Sequence, residues 1–146
     1  MNTIVVRTME SCDVEAIIAM ARNDSGFSNP ESGKEGFWEY GVLKNWVEHQ
    51  GDDVLLVAEY DGQLAGFVLT MFHKPTGKAS WENQFVLDTY RGKGIASALW
   101  DEMESRLKKA GATFIAFLVK SDNPYIHFYQ TKCGDGVKCQ WLLKEL

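Results

Sequence analysis

The chain is 146 residues long, 45% hydrophobic and 24% charged, with a formal net charge of −5. That is one domain's length with ordinary globular composition, which excludes disorder throughout and any need for disulfide or metal staples. An acidic balance also argues against a nucleic-acid partner, which would require a basic face to neutralise phosphates.

Ile4 to Val6 is a short β-branched run and reads as a first strand. After Ser11, the apolar residues Val14, Ile17, Ile18 and Ala21 recur at helical spacing. Residues 23–33 are rich in Asn, Ser, Gly and Pro and read as a loop. Ser32-Gly33-Lys34-Glu35 fits a capping box, and a second amphipathic helix follows with Phe37, Val42, Leu43, Trp46 and Val47, ending at Gly51. Residues 54–60 and 64–72 predict two strands joined by Asp61-Gly62, a strong signal for a short hairpin. A turn around Pro75-Thr76-Gly77 then leads into a strand over residues 79–87.

Arg91-Gly92-Lys93-Gly94 introduces a helix with a buried stripe of Ile95, Leu99, Met103 and Leu107. Asp101, Glu102 and Glu104 populate its outer face, and Lys108-Lys109 before Gly111 suit its C-terminal end. Residues 114–119 are continuously apolar, as in a strand covered on both faces. Residues 79–119 are therefore expected to form a βαβ unit with parallel outer strands. Asp122 or Asn123 can cap a last helix with Pro124 in its first turn, running to about Lys132, and residues 137–143 read as a closing strand. The expectation is a single α/β domain over residues 1–146: a mixed central sheet, an antiparallel meander plus a βαβ crossover, with helices on both faces.

Cys12, Cys133 and Cys139 are odd in number and lack CxxC spacing, which fits a reducing, cytoplasmic setting. The first residues lack the layout of a signal peptide, and no apolar run approaches the roughly 20 residues that cross a bilayer. His49, His73 and His127 form no ligand cluster, so neither a membrane partner nor a metal is expected.

The chemistry concentrates between Val86 and Ala96. Gly92 and Gly94 let the backbone approach a ligand closely, and their place between strand and helix aims amide N–H groups and the helix dipole at one spot. That describes an anion site suited to a pyrophosphate, with Arg91 and Lys93 able to add charge from the sides. A Rossmann fingerprint is excluded because Ser97 replaces its third Gly, and a Walker A loop is absent. A plain glycine turn remains the structural alternative.

Arg91-Gly92-Lys93-Gly94-Ile95-Ala96 resembles the (Q/R)-x-x-G-x-(G/A) signature of the GNAT superfamily of N-acetyltransferases. Phe85-Val86 ahead of it and Phe128-Tyr129 with Gly134 behind it are similar to flanking motifs of that family, and the element order over residues 4–143 matches. The resemblance implies acetyl-coenzyme A as cosubstrate, its pyrophosphate held by the backbone of Arg91 to Ser97 and its pantetheine arm along Phe85, Val86 and Leu87. It also implies direct attack of an amine on the thioester, with a backbone N–H near Val86 or Leu87 polarising the carbonyl. Tyr129 stands where relatives place a general acid, although it also fits an aromatic helix with Tyr125 and Phe128. Glu82 stands where some relatives carry a base, and equally fits a solvated strand carboxylate. Asp122 occupies a position where relatives often have Asn; Asn123 either contacts coenzyme A or caps the helix. Cys133 is read as a small buried residue rather than a nucleophile.

The acceptor is expected near the first two helices, the 23–33 loop and the closing hairpin, where Phe27, Phe37, Trp38 and Tyr40 accompany Asp24, Glu31, Glu35 and Glu39. These residues form either an aromatic and acidic wall for a cationic amine or the ordinary two faces of a helix. Residues 81–92 and 123–129 are similar to diamine and polyamine acetyltransferases, which implies a polyamine or another small amine. A protein lysine or N-terminal amine is the alternative acceptor, and a non-catalytic acyl-coenzyme A sensor or interaction protein the alternative class. Relatives often pair through their C-terminal strands, so a homodimer is a further expectation.

Overall fold

The computed structural model describes residues 2–22 and 38–136, together with Leu142 and Lys144. The expected loop at 23–33, the Ser32–Glu35 capping box and the closing strand at 137–143 fall wholly or mainly outside these residues.

Five strands form one sheet in the order β1-β2-β3-β4-β5. β1 is Ile4–Thr8, β2 Val54–Tyr60, β3 Gln63–His73, β4 Lys78–Val86 and β5 Phe114–Phe117. The first four pair antiparallel and β5 pairs parallel with β4, as expected of a meander feeding a crossover. Helices α1 (Val14–Arg22), α2 (Tyr40–Glu48), α3 (Ile95–Ala110) and α4 (Ile126–Cys133) complete the described chain.

β2 is an interior strand, apolar at nearly every position because it feeds both faces. Leu56 and Ala58 join a core with Ile95, Leu99, Trp100, Met103 and Leu107 of α3 and with Tyr129 of α4. Leu55 and Val57 point the other way, into a core with Val14, Ile17 and Ile18 of α1 and Leu43 and Val47 of α2. Helices therefore cover both faces. The α3 stripe is wider than every fourth residue, since Trp100 is also fully buried.

Asp61 and Gly62, both at positive φ (50° and 79°), make the tight turn between β2 and β3. Across the sheet, Gly66 faces β4 so closely that a Cβ there would lie 2.5 Å from the Phe85 carbonyl oxygen. At the other edge, the Arg7 guanidinium donates to both Asp13 carboxylate oxygens (2.8 and 2.9 Å) and to Glu59 Oε1 (3.0 and 2.9 Å). Burial pushes the Asp13 carboxyl up, but Arg7 outweighs it and holds the group below the ordinary carboxylate range.

The structure corrects one strand. β5 stops at Phe117 instead of Val119 and is not covered on both faces: Phe114 is 52% and Leu118 55% exposed. The strand ends before its apolar run does, because β5 leaves β4 there. The last helix also starts later than expected, because Asn123 and Pro124 belong to a turn ahead of it.

Candidate active site

β4 and β5 pair only from Lys78–Phe114 to Trp81–Phe117, whereas β4 continues to Val86. Past Trp81 the strands part and the edge of β4 is exposed to a wedge between them. The parting coincides with a bulge. β3 pairs Leu69 with Asn83 but Thr70 with Trp81, so Glu82 is an extra residue without a partner.

Beyond the bulge, Phe67 lies opposite Phe85, and Leu87 N–H donates to the Ala65 carbonyl at 2.9 Å. The Leu87 amide is thus occupied by β3 and turned away from the wedge. Alternation along the ladder turns the amides of Gln84 and Val86 the opposite way, to the side where β5 has ended.

A cavity of about 280 Å³ fills this wedge. Gln84, Phe85 and Val86 line it from β4, Tyr90, Arg91, Gly92, Gly94, Ile95, Ala96 and Ser97 from the loop and α3, and Tyr125, Phe128 and Tyr129 from the α4 side. Gly92 (φ 75°) and Gly94 (φ 85°) hold the left-handed conformations that turn the chain into α3. No atom lies within 4 Å of where either Cβ would be, so their backbone faces open space. Ala98 N–H is bonded to the Gly94 carbonyl at 3.0 Å, whereas the preceding amides of the first turn have no intrahelical acceptor. Converging amides at a helix N-terminus, beside a cavity open above two glycines, fit a pyrophosphate.

The charged residues of the loop have other neighbours. Arg91 Nε donates to the Val86 carbonyl at 2.9 Å, and its guanidinium pairs with Asp88 between the rings of Phe85 and Tyr125. Arg91 lines the cavity as a strut between loop and strand. Lys93 Nζ lies over Tyr60, 5.2 Å from the ring centroid, and does not line the cavity.

Tyr129 is 8% exposed and touches the rings of Trp81, Trp100, Phe117 and Phe128. Burial, with a smaller contribution from Tyr125, pushes its phenol up to about 12, so it holds its proton at neutral pH. Glu82 does not line the cavity. Ser80 donates to its Oε1 at 2.8 Å, and Ser80 lies between Ala79 and Trp81, which face α3. The Glu82 carboxylate therefore lies on the α1/α2 side of the sheet, beside Asn83, whose Oδ1 accepts from Trp38 Nε1 at 2.9 Å. Asn123 also lies outside the lining: its Oδ1 accepts from the Tyr125 amide at 2.8 Å, which closes the turn ahead of α4 and does not cap the helix itself.

Phe85, Val86, Arg91, Gly92, Gly94, Ile95, Ala96, Ser97 and Tyr129 thus meet at one cavity, while Leu87, Lys93, Asn123 and Glu82 do not line it. Gln84 and Tyr90 join the wall without having been foreseen. Gln84 shares strand parity with Val86, and that was the available signal. Tyr125 is expected from sequence as a packing partner of Tyr129, and Phe128 as that and as part of the family-like Phe128-Tyr129 motif; both also line the cavity.

Residues 17–135 match the model of the acetyltransferase (GNAT) family. An acetyltransferase of Pectobacterium atrosepticum is 34% identical over 120 residues, covering 75% of this chain and 84% of that one. Among solved structures, a PaiA N-acetyltransferase from Thermoplasma acidophilum in complex with coenzyme A superposes with a TM-score of 0.75 at 23% identity, over 90% of this chain and 89% of that one. A transcriptional regulator from Bacillus halodurans gives a TM-score of 0.78 at 17% identity, over 99% and 100%, so the fold alone does not define a role. Together with a glycine cradle and wedge that fit coenzyme A, the family match makes this chain an acetyl-coenzyme A-dependent acetyltransferase of the GNAT family.

Proposed function

We propose that the enzyme acetylates the primary amine of a small cationic acceptor such as a polyamine, with the amine approaching from the α1/α2 face of β4. The observation that carries this reading is the pairing at the bulge: the Glu82 carboxylate and the Trp38 ring flank β4 on the face opposite Tyr129. A carboxylate beside an aromatic ring suits a protonated amine. Glu39 and Tyr40 follow Trp38 directly at the start of α2. The remaining aromatic and acidic residues expected there, Phe27, Phe37, Asp24, Glu31 and Glu35, lie outside the described residues.

Acetyl-coenzyme A supplies the acyl group as an activated thioester. The amides around Gly92 to Ser97 hold its pyrophosphate, and those of Gln84 and Val86 hold and polarise the carbonyl. An amine with a pKa near 10.4 is almost wholly protonated at neutral pH, so Glu82 removes a proton from nitrogen, directly or through water. Tyr129 presents a proton to the sulfur from the other side.

Free-thiol release from acetyl-coenzyme A across polyamines, aminoglycosides, amino acids and lysine-bearing peptides tests the acceptor class. Turnover with di- and polyamines, reduced at least tenfold by Glu82→Gln at unchanged coenzyme A affinity, is the expected result. Turnover confined to peptides would overturn the small-amine assignment, and full activity of Glu82→Gln would remove the base.

A further inference from the structure

Gln84 and Tyr129 line the cavity, and Trp81, a side chain that the transfer chemistry does not use, packs behind both of them without lining it. Trp81 is the last β4 residue paired with β5. Its ring stands edge-on to Phe117, 6.4 Å between centroids, and to Tyr129, at 5.3 Å. Phe117 and Tyr129 are 6.5 Å apart, so three rings fill the apex where the strands separate.

The indole is held in place. Trp81 Nε1 donates to Gln84 Oε1 at 3.3 Å, and Gln84 Nε2 donates to the Ala96 carbonyl at 2.9 Å. This relay ties the apex ring to the first turn of α3. It also brings the wall forward. Gln84 is three residue steps from Trp81, roughly 10 Å at the usual rise, but the indole reaches back along the strand to meet the Gln84 carboxamide. Trp100 closes the region behind Phe117, 5.2 Å from its ring.

A donor with its pyrophosphate at the α3 N-terminus and its carbonyl on the Gln84 and Val86 amides runs along β4 toward this wall. Whatever extends past the carbonyl meets the Gln84 carboxamide, which the Trp81 indole holds from behind. We propose that Trp81, locked by Gln84 and backed by Phe117, sets the acyl length the enzyme accepts, admitting a two-carbon acyl group and rejecting a four-carbon one. The inference rests on the donor being an acyl-coenzyme A and is independent of which amine accepts.

The test is calorimetric and needs no acceptor. Dissociation constants for acetyl-, propionyl- and butyryl-coenzyme A are measured on the wild-type protein, on Trp81→Ala and on Phe117→Leu. One methylene in a fitted apolar site is worth roughly 10- to 200-fold, so butyryl-coenzyme A is expected to bind the wild type at least tenfold more weakly than acetyl-coenzyme A. Trp81→Ala should bring that ratio to within about threefold of unity, with Phe117→Leu between the two. Wild-type protein that binds both donors equally would overturn the proposal, whatever the variants do. So would a folded Trp81→Ala that keeps the full wild-type ratio. A length-dependent affinity in a protein that acetylates no amine in the panel would support this inference while removing the proposed acceptor.

Discussion

Replacing Tyr129 by Phe removes one oxygen from the cavity wall and leaves the ring packing against Trp81, Trp100, Phe117 and Phe128 in place. With the phenol pushed up to about 12 and a thiol near 8.5, full proton transfer to a free thiolate is uphill by ~5 kcal/mol. The gain from Tyr129 is therefore a hydrogen bond to charge developing on sulfur, worth ~1.5–3 kcal/mol. That predicts a kcat for Tyr129→Phe roughly 10- to 150-fold below wild type. Initial rates of thiol release at saturating substrates measure it, and calorimetry should show coenzyme A affinity within about twofold of wild type. The same substitution has a stability signature. A phenol raised from about 10 to about 12 contributes ~3 kcal/mol that is fully present below pH 10 and lost as the pH climbs through 12. Urea unfolding between those pH values should show this loss in wild type and lack it in Tyr129→Phe. An unchanged kcat, or a fall matched by weaker coenzyme A binding, would refute the reasoning.

Other positions give sharper contrasts. Asp13→Asn should cost about 2–3 kcal/mol at neutral pH, because it strips Arg7 of a nearly buried partner, Arg7 itself being about one-third exposed. The lowered Asp13 carboxyl stabilises above its unfolded value near 3.9 and loses that contribution as pH falls, so the variant's acid unfolding should be flatter below pH 4. Gly66→Ala should destabilise by more than about 2 kcal/mol, since its Cβ would meet the Phe85 carbonyl, whereas Gly41→Ala, in α2 with open space around it, should stabilise by about 0.5–1 kcal/mol. Denaturant midpoints decide both. Lys93→Ala should change coenzyme A affinity by less than about threefold because its ammonium lies over Tyr60, while Gly94→Val, forced to a φ of 85°, should abolish binding as read by calorimetry.

Much of this was legible from local pattern. Asp61-Gly62, the Ile95–Leu107 stripe and the two loop glycines each encode their conformation in a few neighbouring residues, and each stands where the spacing put it. Three features were not, because they depend on distant parts of the chain. The end of β5 is set by where β4 diverges, not by its own apolar run, which continues through Leu118 and Val119. The availability of a strand amide is set by pairing parity with β3, which takes Leu87 and leaves Gln84 and Val86. The placement of Lys93 depends on Tyr60, more than thirty residues earlier.

Glu82 shows why parity counted along a single strand misleads at a site. By a period of two, residues 82, 84 and 86 share one face, which would aim the carboxylate into the same cavity as Tyr129. The bulge inserts one residue and reverses that count, so Glu82 turns to Ser80 while Gln84 and Val86 keep their amides on the wedge. An undistorted β4 would crowd the Tyr129 phenol and the Glu82 carboxylate onto one side of the strand. With the extra residue, one strand edge presents amides to the donor, a phenol on one face and a carboxylate on the other. On the proposed reading, the amine then meets the carbonyl from the side opposite the phenol that hydrogen-bonds the departing sulfur, so neither group has to move during the transfer.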